Sequence, residues 1–249
     1  KQVYNELAHR SVAIARRMAA LLKKHLQEEE NDEYMPWQYS GRKFVAKQYC
    51  RNELKGFAQK RLPTPHMNCR VYVLVDESGS VTQELSDAEM KTCIVLEQFC
   101  RDMNVPLTVQ GYTSSFQSML DVFSYVEEKV VDGNDKYRLT GMKSRGGTPT
   151  VSAMNYAIRR LSKNDRKEPK LLFVITDGYA EDDQDGALTE SLIEDAEKQN
   201  IRVIGCGIGT DKERVAEEFG SDHYLGIDDL EKMPERLVEI VRRRLYNHR

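Results

Sequence analysis

The stretch RVYVLVDESGS, residues 70–80, sets the architecture. Val71, Val73 and Val75 alternate with Tyr72 and Leu74, so the run is apolar on both faces. Such a run suits a central strand covered by helices on both sides. It stops abruptly at Asp76-Glu77-Ser78-Gly79-Ser80, which sets a carboxylate and two hydroxyls at alternate positions of one tight turn. Open α/β sheets keep their ligands just past the carboxyl ends of such strands. The spacing lets Asp76, Ser78 and Ser80 converge on one point, with Gly79 expected to permit the close backbone approach. Three hard oxygens on one point suit a divalent cation of the magnesium or calcium type.

Two later stretches supply further oxygens. Gly146-Gly147-Thr148-Pro149-Thr150 is a tight loop carrying a hydroxyl, and Leu171 to Gly178 (LLFVITDG) is a second buried strand ending in the carboxylate of Asp177. Together, DxSxS, then GGT, then an apolar strand with TDG resembles the metal-ion-dependent adhesion site of von Willebrand factor A domains. The resemblance runs from about residue 68 to the end. It implies Mg²⁺ (or Mn²⁺ or Ca²⁺) held by Asp76, Ser78, Ser80, Thr148 and Asp177. The two serines would donate hydroxyl oxygens directly, Thr148 would be the switchable ligand, and Asp177 a carboxylate behind the direct ligands or an alternate to them. It also implies a protein partner that offers an Asp or Glu to the metal. The opposing reading is that Ser78 and Ser80 only cap the following helix and that Asp177 only ends a strand.

A narrower similarity is to bacterial CobT-like and nitric-oxide-reductase-activation-like A proteins. It rests on the basic lead-in with Gly41-Arg42-Lys43, the step through Pro63, and the GGTPT loop. Relatives often carry Met where this chain has Val81. That group implies an AAA+ ATPase of the MoxR or chelatase type as partner, and the alternative of a subunit in a metal chelatase complex.

The 249 residues allow one domain plus an extension, divided here into a helical extension over 1–66 and the A domain over 67–249. Fold class is α/β, a doubly wound, mostly parallel sheet with one antiparallel edge strand. A net charge of −3 and a pI near 6.0 give no support for a nucleic-acid partner. Residues 1–66 carry 13 Lys or Arg against seven Asp or Glu, so the remainder is acidic. No run approaches the ~18 apolar residues of a membrane span, and no signal peptide is visible. A chain opening on Lys1 is expected to be a piece of a longer, cytoplasmic protein. Five cysteines, Cys50, Cys69, Cys93, Cys100 and Cys206, lack paired CxxC spacing and read as buried free thiols.

Along the chain, residues 1–27 read as an amphipathic helix with Val3, Leu7, Ile14, Met18, Leu21 and Leu22 as its stripe. Tyr34 to Gly41 reads as a loop and Arg42 to Lys60 as a second helix. Beyond Ser80 the pattern predicts a helix over 83–103, strands over 107–112 and 119–126 as a hairpin, and a helix through Leu161 entered at Pro149. The strand ending at Asp177 comes next. A helix over 188–198, strands over 203–207 and near 223–225, and a last helix over 229–245 complete the pattern.

Enzyme signatures fail on their spacing. A phosphatase DxD would need a carboxylate at Ser78, and Glu77-Ser78-Gly79-Ser80 is not GxSxG. Gly205-Cys206-Gly207-Ile208-Gly209 lacks the third glycine of GxGxxG, since Thr210 and Lys212 occupy those positions. The acidic loop Glu181–Asp185 fails as an EF-hand because Leu192 falls where a bidentate Glu is required. No nucleophile is paired with a base, so a catalytic role, such as a Mg-dependent hydrolase, is the lesser alternative.

Overall fold

The computed structural model describes residues 1–30, 34–41, 43–51, 55–60, 69–115, 119–128, 133–165, 168–178, 185–208 and 212–226. The acidic loop at 181–184 and the helix expected over 229–245 lie outside them. The chain forms two compact units, one of residues 1–18 with 67–249, the other of residues 19–66.

In the larger unit, the two-sided apolar run is β4 (Arg70–Asp76), at the centre of a six-stranded sheet. To one side lie β5 (Leu107–Ser115) and β6 (Met119–Val126); to the other lie β7 (Lys170–Thr176), β8 (Ile201–Gly207) and β9 (Tyr224–Gly226). All neighbours are parallel except β5 and β6, which form the expected antiparallel edge pair. Helix α3 (Gln83–Asp102) carries the chain from β4 to β5. It starts where Thr82 accepts a hydrogen bond from Leu85 N (3.4 Å), and Asn104 (φ 54°) follows its end. Between β6 and β7 lies α5 (Thr150–Leu161), preceded by one helical turn, α4 (Asp135–Arg138); α6 (Asp185–Glu197) and α7 (Lys212–Phe219) flank β8.

The two-sided apolarity of β4 has the expected consequence. Tyr72 and Leu74 join Leu172, Val174 and Val203 in one core cluster with Met154, Ala157 and Leu161 of α5, Ala196 of α6, and Val215 and Phe219 of α7. Alternate residues Val71, Val73, Val75, Phe173 and Ile175 are also buried and face the opposite way, the side of Cys93, Ile94, Leu96 and Phe99 on α3. Gly205 belongs to this packing: a Cβ there would lie 2.4 Å from the Phe219 ring, so the glycine makes room for α7. All five cysteines are free; Cys69, Cys93, Cys100 and Cys206 are buried, but Cys50 is exposed, against expectation.

Helix α1 (Gln2–Glu30) forms as expected, but its buried stripe in the larger unit is Tyr4, Ala8, Ser11, Ala15 and Met18. Val3 is 54% exposed. Small side chains bring the helix close, and Tyr4 anchors it through a hydrogen bond to Glu97 (3.4 Å) and an edge contact with Tyr137. A hydropathy stripe undervalues Ala, Ser and Tyr.

The smaller unit corrects the sequence reading. Tyr34–Gln38, expected as a loop, is strand β1, and the region expected as a second helix holds β2 (Lys43–Phe44), a single turn α2 (Ala46–Tyr49) and β3 (Phe57–Lys60). The antiparallel order is β1-β3-β2. Pro36 reads as a breaker, yet β1 is an edge strand whose register slips between Met35 and Gln38, with Trp37 at φ 61°. The apolar residues read as a helical stripe instead gather Phe44 against Tyr49 (5.5 Å) and Phe57 (5.3 Å). Gly56 permits that cluster, since a Cβ there would meet Tyr49 Cβ at 2.7 Å.

Candidate metal centre

The end of β4 is where the strand order reverses, with β5 on one side and β7 on the other. Sheets of this kind open a crevice at that point. Asp76 ends β4 there and is wholly buried. Its Oδ1 accepts from Ser78 N (2.9 Å) and its Oδ2 from the Thr176 hydroxyl (2.8 Å) at the end of β7. Thr176 in turn accepts from Gly178 N (3.2 Å), which ties Asp177 and its turn to the same spot. Asp177 is 4% exposed, and its Oδ2 accepts no hydrogen bond from the described residues.

Ser78 and Ser80 turn their hydroxyls to each other, 2.9 Å apart. The helix that follows is capped by Thr82, so these serines are not its cap. Adjacent ligands of an octahedral Mg²⁺, each at 2.0–2.1 Å, stand about 2.9 Å apart. The hydroxyl pair fits one edge of that octahedron. Among the described residues no three His, Cys, Asp or Glu side chains are grouped so as to hold a metal ion.

Loop 144–148 is stitched onto the serine turn by three hydrogen bonds. Ser144 Oγ donates to Ser78 O (2.8 Å), Arg145 N to Glu77 O (2.7 Å), and Gly79 N to Gly146 O (2.6 Å). On its other side, Gly147 pairs with Ser114 of β5 in both directions (3.0 and 3.1 Å). The close approach expected at Gly79 falls on Gly146: a Cβ on Gly146 would sit 1.9 Å from Ser114 O, whereas one on Gly79 would meet nothing nearer than 3.4 Å. Thr148 follows directly on this loop and is buried. Asp76, Ser78, Ser80 and the Thr176–Asp177 turn are thus joined directly, and Thr148 through its loop.

Three buried charged or polar groups escaped the sequence reading. Glu77 is 2% exposed, its Oε2 accepting from Arg145 Nε (2.8 Å) and its Oε1 from the Tyr125 hydroxyl. Glu89 of α3 is equally buried; burial first, then the charges of Asp76, Asp177 and Glu77, hold its carboxyl well above the usual range. Thr176 was visible only as part of TDG. Gly111, which leaves space for the Glu77 carboxylate, was the available signal for Glu77: a Cβ there would lie 2.2 Å from Glu77 Oε1.

Burial pushes the Asp76 carboxyl up to about 7; hydrogen bonds from Thr176 and Ser78 oppose this, and the nearby Asp177 charge reinforces it. A folded value above the unfolded one, about 4, means that Asp76 stabilises the metal-free fold below about pH 4 and loses that contribution as pH rises through about 7. The swing is on the order of 4 kcal/mol. Metal-free protein should therefore lose stability relative to Asp76→Asn between those pH values, and saturating Mg²⁺ should restore it. Chemical denaturation across that range checks this; parallel curves for the two proteins would refute it.

The family model described as von Willebrand factor type A domain matches residues 71–235. Among solved structures, the conserved hypothetical protein BatB from Bacteroides thetaiotaomicron is similar at 15% identity and TM-score 0.53, over 71% of this chain and 98% of that one. An aerotolerance-related membrane protein from Bacteroides fragilis NCTC 9343 is similar at 17% identity and TM-score 0.50, over 70% and 99%. The pilus adhesin SpaC from Lactobacillus rhamnosus GG matches at 14% identity and TM-score 0.55, over 73% of this chain but 30% of the adhesin. At these identities the likeness is one of fold. No curated protein matches the chain.

Proposed function

The chain belongs to the von Willebrand factor type A domain family, and we propose that it is a non-catalytic module that binds a protein partner through a divalent metal. The observation that carries this reading is the Ser78–Ser80 hydroxyl pair, 2.9 Å apart, beside the buried carboxylate of Asp76. Ser78, Ser80, Asp76, Asp177 and Thr148 would hold Mg²⁺ or Mn²⁺. Asp76 makes two hydrogen bonds and no ion pair among the described residues, so a cation would offset a costly buried charge. Magnesium retains waters reluctantly exchanged, and a bound ion supplies a concentrated positive charge at which a partner's Asp or Glu can replace one of them. Ser80 and Gly79 are exposed, so the serine turn is open to such a partner.

Among the described residues no nucleophile–base pair stands in the site: the hydroxyls bond to each other and Glu77 is committed to Arg145 and Tyr125. Resemblance to CobT-like A proteins supports an AAA+ ATPase of the MoxR or chelatase type, or its client, as the partner. Among the described residues no helix is long and apolar enough to cross a membrane.

Affinity capture from the native host, with and without EDTA and with Thr148→Ala, tests the reading. Metal-bridged capture is lost in both while the fold survives. Capture that persists in EDTA but weakens with salt, or with charge reversal at Arg16, Arg17 and Lys23, would instead identify docking through the basic helix.

A further inference from the structure

We infer that the Glu77–Arg145 pair is a latch that sets metal affinity by fixing the Thr148 loop against the serine turn, without either residue touching the ion. This rests on the metal reading above and names the residues that position its ligands.

Glu77 lies between two proposed ligands, Asp76 and Ser78, yet its side chain is turned away into the space over Gly111. Its backbone is fixed by Glu77 N donating to Tyr112 O (2.9 Å) on β5. Arg145 grips it twice, with its main-chain N on Glu77 O (2.7 Å) and its Nε on Glu77 Oε2 (2.8 Å). The guanidinium also lies 3.9 Å from the centroid of the Phe123 ring on β6. The flanking residues Ser144 and Gly146 bond to Ser78 and Gly79, so the grip by Arg145 is the middle of three consecutive ties.

A carboxylate beside a cation site competes for the ion unless it is neutralised. Here the Glu77 side chain, 1% exposed, has both oxygens engaged by Arg145 and Tyr125. The pair is weak as a source of stability, because the Arg145 side chain is 37% exposed and solvent screens the attraction. It is strong as a fixed geometry, because the planar guanidinium bonds in set directions. Thr148 lies three residues beyond Arg145, with Gly147 held to β5 between them, so freeing Arg145 loosens the approach of Thr148 to the serines.

The test is calorimetric titration of the full chain with Mn²⁺, at a temperature where circular dichroism shows each variant folded. Arg145→Ala is expected to weaken binding by ~10–100-fold, the usual cost of losing a partner that orients a ligand. Arg145→Lys should recover part of the loss by restoring charge without the directed fork. In a Thr148→Ala background, Arg145→Ala should add less than about threefold, because the ligand it positions is already gone. Should Arg145→Ala not fold, Glu77→Gln, which keeps shape and removes charge, gives the same reading at smaller size. Wild-type affinity in the folded Arg145 or Glu77 variant, or effects of Arg145→Ala and Thr148→Ala that simply multiply, would overturn the latch while leaving the metal site standing. A wild-type chain that takes up no Mn²⁺ would overturn the metal reading itself, and the latch with it.

Discussion

Titration of Ser78→Ala/Ser80→Ala with Mg²⁺ or Mn²⁺ is expected to give no heat of binding where the wild type shows one site. The two hydroxyls, 2.9 Å apart, supply one edge of the ion's octahedron, and alanine leaves that edge to water. Affinity should fall by at least ~100-fold, beyond the cost of losing an outer partner of a ligand. The fold should survive, because α3 is capped by Thr82 and Ser80 is exposed. Thr82→Ala separates the two roles: it should cost about 1 kcal/mol of stability and leave metal binding intact. Unchanged affinity in the double variant would remove the metal claim.

Gly146→Ala is expected to damage both stability and metal binding. The added Cβ would stand 1.9 Å from Ser114 O and 3.1 Å from Ser114 C, and backbone cannot give way as a flexible side chain can. The loop must lift from β5. That movement breaks the Gly147–Ser114 pair, the Gly146 N bond to Thr113 Oγ1 (3.0 Å), and the Gly79 N bond to Gly146 O. At about 1 kcal/mol for each hydrogen bond, the loss is about 3–4 kcal/mol, with Thr148 displaced from the serines. Gly79→Ala is the control and should be mild, since its Cβ meets nothing nearer than 3.4 Å. Wild-type melting and affinity in Gly146→Ala would contradict the structure at this loop.

The sheet was legible where hydropathy alone carries the information. The two-sided apolarity of 71–75 and 171–175 predicts buried central strands, and the structure pairs them in register, Val71 with Leu171 and Val75 with Ile175. The hairpin at β5 and β6 was legible for the same reason. Residues 34–60 were not: Pro36 and a helix-like spacing of Phe44, Tyr49 and Phe57 pointed to a loop and a helix. A bulged edge strand and a cluster of rings contradict both, because a short sheet is held by pairings between segments distant in sequence. The stripe of α1 was legible at Met18 and Leu22, which are buried, but not nearer its start, where Tyr4, Ala8, Ser11 and Ala15 are buried in place of Val3, Leu7 and Ile14 because their size suits how closely the neighbouring surface approaches.

At the site the division is sharper. The turn Asp76-Glu77-Ser78-Gly79-Ser80 brings the Ser78 and Ser80 hydroxyls to 2.9 Å and the Asp76 carboxylate onto Ser78 N by local geometry, an arrangement that the alternate spacing anticipates. Asp76 and Thr176 are 100 positions apart and meet only because β4 and β7 run parallel and end level. Glu77, Glu89 and Arg145 look in the sequence like ordinary surface charges. Whether a charge is desolvated, and what neutralises it, depends on segments packed around it from elsewhere in the chain. Gly111 clears the space for Glu77, Tyr125 and Arg145 bond it, and α3 brings a buried Glu89 within the field of Asp76 and Asp177. Local spacing can place a ligand set, but the desolvation and ion pairing around it arise only once the layers have closed.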